Sequence, residues 1–192
     1  HTNYDWEFRV IDAPDTVNAF CLPGGKVAFY TGILPICQNE AGVAVVMGHE
    51  VAHALARHGA ERISQSLVLN LGIAAISAAA SKDPETREEI AAALGVGTAL
   101  TIALPFSRKQ ESEADYIGLM LMAKAGYDPR EAPKFWKRME AASNGEQPPE
   151  FLSTHPSHER RIEDLEDAMP EAMEYYHEAT GKGGEYQGLT TK

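Results

Sequence analysis

Residues 46–55 read Val46-Met47-Gly48-His49-Glu50-Val51-Ala52-His53-Ala54-Leu55, and this stretch decides the fold and the chemistry expected of the chain. It holds His-Glu-x-x-His in an apolar frame that no Pro interrupts. On an α-helix, side chains at i and i+4 lie on one face, so His49 and His53 can bind the same metal ion. Glu50 lies one step round the helix, where a carboxylate can act as base on a water beside the metal. The motif therefore predicts zinc-dependent hydrolysis of peptide bonds.

Composition and charge narrow the class of protein. The chain has 192 residues, of which 44% are hydrophobic and 23% charged, as in an ordinary globular domain. Its formal net charge of −11 argues against a nucleic-acid partner and against strong docking on anionic lipid. Two cysteines, Cys21 and Cys37, are too few for a disulfide framework, and we expect both to be small buried side chains.

The N-terminal part of the chain has the patterns of β-strands. Residues 6–10 alternate apolar and charged side chains, which predicts a half-buried strand. Residues 17–22 and 26–30 flank Pro23-Gly24-Gly25, and this arrangement predicts a β-hairpin. We expect an extended substrate to pair with the edge of this hairpin near residues 26–30.

The metal motif is expected on a helix that begins after Asn39, a good N-cap residue, and runs to about Ile63. Two unusually apolar segments follow, residues 67–80 and 90–104. Because both are apolar nearly all round, they must be buried, lie against a membrane or cover a groove. We expect a helical hairpin that packs near the active site, with membrane contact as the alternative, since neither run has the length of a clear transmembrane helix.

Helical patterns continue through the C-terminal half. Helices are predicted for residues 107–125, from Asp128 onward and after Pro156. The predicted fold class is α+β and mostly helical, with a small N-terminal antiparallel β-hairpin or sheet packed on a helical core that contains the active-site helix. We expect a single domain over residues 1–180 and a loose C-terminal tail over 181–192.

A catalytic zinc site needs a third protein ligand, with water in the fourth position. Acidic candidates occur in the segment Ser107-Arg108-Lys109-Gln110-Glu111-Ser112-Glu113-Ala114-Asp115. Glu111 and Asp115 share a helix face, so one could bind zinc while the other accepts the second N–H of a ligand histidine. Acidic residues also suit the start of any helix, and spacing alone does not decide between Glu111 and Glu113.

Three blocks of the sequence together resemble one family of zinc peptidases. The blocks are His49-Glu50-Val51-Ala52-His53, Ser107 to Asp115, and Ser153-Thr154-His155-Pro156 through Arg161. Asn18-Ala19-Phe20 with Gly24-Gly25, and Gly126-Tyr127-Asp128-Pro129, also match. The chain is thereby similar to the zincin-like peptidases that include HtpX, BepA, the mitochondrial protease OMA and the CAAX prenyl endopeptidase, and the similarity covers nearly all of residues 17–162.

The resemblance implies a role for each candidate site residue. It makes Glu111 the third zinc ligand and gives Asp115 the role of acceptor for a ligand histidine. His155 and Arg161 match a late His and Arg of the family, and either could hold the oxyanion formed during attack. His155 could instead fill the fourth zinc position in a resting state, and the adjacent Arg160 could substitute for Arg161.

The resemblance also implies an activity and a location. We expect a zinc metalloendopeptidase with one zinc ion per chain, Glu50 as general base and misfolded or envelope proteins as polypeptide substrates. The alternative is a latent or chaperone-like zinc protein that assists outer-membrane protein assembly; a prenyl-protein processor is disfavoured because it needs several membrane spans. The implied location is the bacterial periplasm or cell envelope, with possible contact to membrane or envelope proteins. Since the chain begins at His1, we expect a signal segment to be missing from it.

Overall fold

The computed structural model describes residues 3–94, 106–143, 149–157 and 160–181. A small N-terminal sheet is followed by helices, which confirms the predicted α+β, mostly helical class. The sheet contains β1 (Glu7–Ile11), β2 (Ala19–Leu22) and β3 (Lys26–Tyr30). The predicted hairpin forms between β2 and β3, with Gly24 and Gly25 at φ of 94° and 89° in its turn. β1 adds to it in parallel, so the sheet is mixed.

The order of the strands overturns one prediction about the substrate. The order is β1-β3-β2, which places β3 in the centre with both of its edges paired. The expectation that a substrate pairs along residues 26–30 is therefore wrong. Within the ranges that the structure describes, the unpaired edges of the sheet belong to β1 and β2. The hairpin was visible in the local pattern, but the parallel pairing of Glu7–Ile11 with Lys26–Tyr30 is a long-range contact that this pattern does not encode.

The strand β1 lacks the buried face that its alternating sequence predicts. All five of its residues are exposed, and Val10 shows 72% of its surface. Trp6, just before the strand, does pack against the core. An edge position alone does not cause this exposure, because the other edge strand, β2, buries Ala19; within the described residues the protein covers neither face of β1.

Nine α-helices lie within the described ranges of the chain, after a short 3₁₀ turn at Thr31–Ile33. They are α1 (Leu34–Cys37), α2 (Glu40–Leu55), α3 (His58–Ala80), α4 (Pro84–Leu94), α5 (Arg108–Lys124), α6 (Glu131–Ser143), α7 (Phe151–Thr154), α8 (Arg161–Asp167) and α9 (Met169–Thr180). The side chain of Asn39 caps α2 by accepting a hydrogen bond from the Gly42 N–H at 2.9 Å. Ser107 and Gln110 form a capping box at the start of α5.

The helix that carries the metal motif ends earlier than predicted. It stops at Leu55 and not near Ile63, because Arg57 adopts a left-handed conformation with φ of 61°. The chain turns at that residue, and α3 begins at His58. Neither Gly nor Asn occupies position 57, so sequence chemistry gave no sign of the break.

The core forms where α2 crosses α5. A Cβ atom added to Gly48 would lie 2.6 Å from the carbonyl oxygen of Gly118, so two glycines let the helix backbones touch. Phe135, Trp136 and Met139 of α6 are buried in this core. Both cysteines are free thiols; Cys37 is buried, whereas Cys21 is half-buried.

The apolar helix α3 stands largely outside the core. Leu67, Val68 and Leu71 are more than half exposed, so the predicted burial of residues 67–80 is wrong. The 23-residue helix α3 is long and apolar enough to cross a membrane. Only 11% of its apolar 18-residue stretch is buried. Of the second apolar segment, residues 95–104 lie outside the described ranges.

The C-terminal boundary stays a prediction. Helix α9 ends at Thr180, next to the predicted end of the domain. The predicted tail, from residue 182 onward, lies outside the described ranges.

Candidate metal centre

Four buried side chains bring their donor atoms together beside α2. They are His49 and His53 of α2, Glu111 of α5, and His155 after α7, and their ligand atoms all lie within 4.8 Å of one another. His53 Nε2 lies 3.1 Å from His49 Nε2 and 3.2 Å from Glu111 Oε1. Tetrahedral zinc with bonds near 2.05 Å separates its donors by about 3.3 Å, so this spacing fits zinc.

The same cluster contains buried polar atoms without a hydrogen-bond partner. No hydrogen bond reaches either carboxylate oxygen of Glu111 or Nε2 of His155, although Glu111 Oε2 also lies 3.1 Å from Nη2 of Arg161 as an ion pair. Burial raises the pKa of Glu111 to about 8; Arg161 opposes this shift and the charge of Asp115 adds to it. Buried groups without partners are costly, and a cation at the centre would supply the missing interaction. The donor set therefore fits a metal ion.

Glu50 lies beside the donors without being one of them. Its Oε1 is buried, has no hydrogen-bond partner and lies 3.4 Å from Nε2 of His155. Burial raises the pKa of Glu50 well above its usual range, and the nearby charge of Glu111 adds to this shift. A hydrogen bond from the backbone of Cys21 opposes it. A carboxylate in this environment accepts a proton readily and can hold it.

Asp115 holds the outer nitrogen of His49. Its Oδ1 lies 2.9 Å from His49 Nδ1 and accepts a hydrogen bond from Arg161 Nη2 at 2.8 Å. Burial alone would raise the pKa of Asp115, but Arg161 and the hydrogen bond to His49 more than offset it and hold the pKa below its usual range. The charged carboxylate accepts Nδ1–H of His49, which leaves the lone pair of Nε2 free to face the cluster.

The sequence of the chain is similar to those of known peptidases. Residues 1–169 match peptidase family M48. The chain belongs to this family. It is 43% identical to the mitochondrial metalloendopeptidase OMA1 of Schizosaccharomyces pombe over 90% of the chain and 51% of that protein. It is 37% identical to the mitochondrial metalloendopeptidase OMA1 of Homo sapiens over 88% of the chain and 33% of that protein. The putative beta-barrel assembly-enhancing protease of Vibrio cholerae is 34% identical over 77% of the chain and 31% of that protein.

The comparison confirms the predicted family and, for this domain, the predicted class of metalloendopeptidase. The chain spans about half, or less, of the length of these curated relatives. The predicted bacterial periplasmic or envelope location is wrong, because the relatives with 37–43% identity are mitochondrial proteins of eukaryotes and point to mitochondria instead. The resemblance to envelope proteins had suggested that location, although the motifs are shared by both branches.

Arg161 lies behind the donors of this M48 domain. It is 1% exposed, its Nη2 lies 3.1 Å from Glu111 Oε2, and its Nε lies 2.7 Å from Asp115 Oδ2. Its guanidinium carbon sits 3.2 Å from the ring centre of Trp136. The neighbouring Arg160 is 73% exposed and lies outside the cluster, so Arg161 is the arginine that contacts the site.

His155 turns one nitrogen toward the cluster and the other toward the backbone. Its Nδ1 lies 3.2 Å from the carbonyl oxygen of Phe151 and 2.9 Å from Oγ1 of Thr154. A proton on Nδ1 satisfies that carbonyl and leaves Nε2 as an acceptor. With this tautomer Nε2 of His155 offers a lone pair to a metal, and the alternative role of His155 as a donor to the oxyanion stays a prediction.

The sequence gave no role to two side chains that lie against the ligands. His58 is 3% exposed, and its Nδ1 lies 3.0 Å from Nδ1 of His53. The ring of Phe106 lies 3.9 Å from the ring of His53. The turn at Arg57 places His58 beside His53, and no local pattern indicated that turn. Glu113 lies outside the donor cluster and faces His58 instead.

Proposed function

We propose that this M48 domain is a zinc-dependent endopeptidase in which His49, His53 and Glu111 bind one zinc ion and Glu50 is the general base. The convergence of these buried donors with that of His155, all within 4.8 Å of one another, is the observation that carries the proposal. Zinc in such a site lowers the pKa of water to about 7 and polarises the scissile carbonyl. The chain's own residues then move the proton and hold the substrate.

Glu50 supplies the proton transfer. Its Oε1 accepts a proton from the attacking water and later gives it to the nitrogen of the departing amine. Because the raised pKa lets this carboxyl hold a proton between the two steps, burial of Glu50 serves the reaction directly. Asp115 and Arg161 are positioning residues in this scheme, since their contacts are with His49 and Glu111.

A second candidate function is a latent zinc protein. The observation that favours it is the position of His155, whose Nε2 stands among the donors and could complete four-coordination. Both candidates bind zinc in the same place. They differ in whether His155 leaves room for water and substrate.

Metal removal tests the main proposal. Purified protein should contain about one zinc per chain, cleave denatured casein, lose cleavage after treatment with a chelator and regain it with added zinc. Metal analysis and gel electrophoresis of the casein products measure this. Cleavage that persists without metal would refute the proposal. Bound zinc without cleavage, together with a gain of cleavage in His155→Ala, would establish the latent form instead.

The free edge of β2 is the proposed place for an extended substrate. The backbone of Cys21 in this strand reaches Glu50, so the edge faces the candidate base. A cavity of about 260 Å³ lies beside it, next to His53. Its other lining residues are mostly apolar and include Tyr4, Pro23, Ala54, Ala60 and Phe106. We propose that the substrate pairs with β2 and places an apolar side chain in this cavity.

Filling the cavity should change which peptides are cut. Ala60 is exposed at the cavity wall, so Ala60→Phe is expected to reduce kcat/KM for peptides with a large apolar residue beside the cleaved bond by about 10-fold or more, with less effect on small residues. Mass spectrometry of a peptide series measures the ratio of kcat/KM for peptides with a large apolar residue to kcat/KM for peptides with a small residue. Ala79→Phe, at an exposed site farther along α3, is the matched control. Equal ratios in both variants would show that the cavity does not bind the substrate.

We also propose that α3 contacts lipid. The helix is about 34 Å long at 1.5 Å per residue, close to the thickness of a bilayer core. Large side chains along it, among them Leu67, Val68 and Leu71, are exposed. The acidic net charge makes apolar insertion, and not attraction to anionic headgroups, the expected mode of binding.

Vesicle flotation tests this contact. The protein should float with neutral phosphatidylcholine vesicles, and Leu67→Lys with Leu71→Lys should abolish flotation because charges are costly in hydrocarbon. Gln65→Lys, at an exposed polar site on the opposite face of the same helix, should leave it largely intact. Absence of wild-type flotation, or equal loss in the control, would contradict the proposal.

A further inference from the structure

The two candidate histidine ligands are supported by different chemistry on their outer sides. Nε2 of His53 faces the donors, whereas its Nδ1 lies 3.0 Å from Nδ1 of His58. Nδ1 of His49 instead faces the carboxylate of Asp115. One ligand is therefore supported by an anion and the other by a second imidazole.

The hydrogen-bond pattern fixes the roles of the two rings. A neutral imidazole that gives Nε2 to a metal carries its proton on Nδ1, and ligand histidines nearly always donate that N–H. His58 Nδ1 is at hydrogen-bond distance, so it must be the acceptor. His58 then carries its own proton on Nε2, which lies 3.5 Å from Oε2 of Glu113. The contact between His58 Nε2 and Glu113 is long, and Glu113 is half exposed. Glu113 therefore orients His58 less strongly than His58 orients His53.

The fold holds His58 in this orientation. It is the first residue of α3, directly after the left-handed Arg57, and its side chain is buried. The rings of His53 and His58 meet edge-on, with centroids 5.0 Å apart. Phe106 covers His53 from another side, which leaves its ring few alternative orientations.

We propose that His58 is a positioning residue of the metal centre, which accepts the Nδ1–H of His53 and so fixes the tautomer and orientation of that ligand. Glu113 steadies His58 through its Nε2. This inference rests on the zinc site proposed above. The same inference gives Glu113 a role in orienting His58, although Glu113 lies outside the donor cluster.

Two substitutions separate hydrogen bonding from packing. His58→Phe keeps an aromatic ring but removes the acceptor, and it is expected to weaken zinc binding by about 10- to 100-fold. His58→Asn places an oxygen close to the former position of Nδ1 and is expected to restore binding to within a few-fold of wild type. His177→Phe makes the same exchange in α9, away from the donors, and should not change zinc affinity.

Zinc affinity is measured by competition with a chromophoric chelator, and the unfolding midpoint of each zinc-free variant shows whether it is folded. Weak binding by folded His58→Phe with recovery in His58→Asn supports the inference. Wild-type affinity in folded His58→Phe overturns it, as does equal weakness of both variants, which would show that shape alone matters. Failure of the wild-type protein to bind zinc would overturn the zinc site and this inference together.

Discussion

Glu50→Gln is expected to keep zinc and to lower kcat/KM for casein-derived peptides by about 10²- to 10⁴-fold, the usual contribution of a general base. The amide has nearly the same shape as the carboxyl but cannot accept the proton from water at neutral pH. Since Glu50 is not among the donors, zinc affinity should change little. Fluorescent peptide cleavage and metal analysis on the same preparation measure both quantities.

Glu174→Gln is the matched control for this exchange. Glu174 is exposed on α9, far along the chain from the donors, and its substitution should leave both cleavage and zinc content unchanged. Normal proteolysis by Glu50→Gln would refute the assignment of the base. Loss of zinc from that variant would show instead that Glu50 helps to bind the metal.

Arg161→Met is expected to destabilise the zinc-free protein by about 3–5 kcal/mol, because it leaves the charged carboxylate of Asp115 buried without its positive partner. Met retains much of the apolar volume against Trp136, so the loss is mainly electrostatic. Zinc affinity should fall as well, since Asp115 would no longer be held against His49. Urea unfolding and chelator competition measure the two effects.

The adjacent residue provides a direct control. Arg160→Met removes an exposed guanidinium whose ion pairs with Glu163 and Asp164 lie at the surface, so its effect on the free energy of unfolding should stay below about 1 kcal/mol. Similar losses in both variants would contradict the buried ion-pair network as the source of stability. A stable Arg161→Met with weak zinc binding would limit the role of Arg161 to the metal centre.

Local sequence patterns predicted the parts of the site that lie on single helices. The pairing of His49 with His53 follows from one helical turn, and the cap at Asn39 follows from side-chain chemistry. The choice of Glu111 over Glu113 came from family resemblance, and the structure brings Glu111 to the histidines while Glu113 faces His58. The contact of His58 with His53 depends on the left-handed turn at Arg57, and it was not predictable in this way.

The apolar segments show a different limit of sequence reasoning. The composition of residues 67–80 indicates that these side chains avoid water, but it does not say which material covers them. Core packing was the expectation, and the structure leaves this helix outside the core. The strand β3 is a similar case, since its hairpin was predictable but its central place in the sheet depends on β1.

The contact between Gly48 and Gly118 has a kinetic consequence for loading of the ion. The glycines fix the spacing of the two helices through backbone atoms alone, one residue before His49 and two turns after Glu111. The polypeptide itself thus sets the distance between the helix that carries His49 and the helix that carries Glu111. Capture should then be limited by diffusion and dehydration of the ion, and not by a slow rearrangement of the backbone.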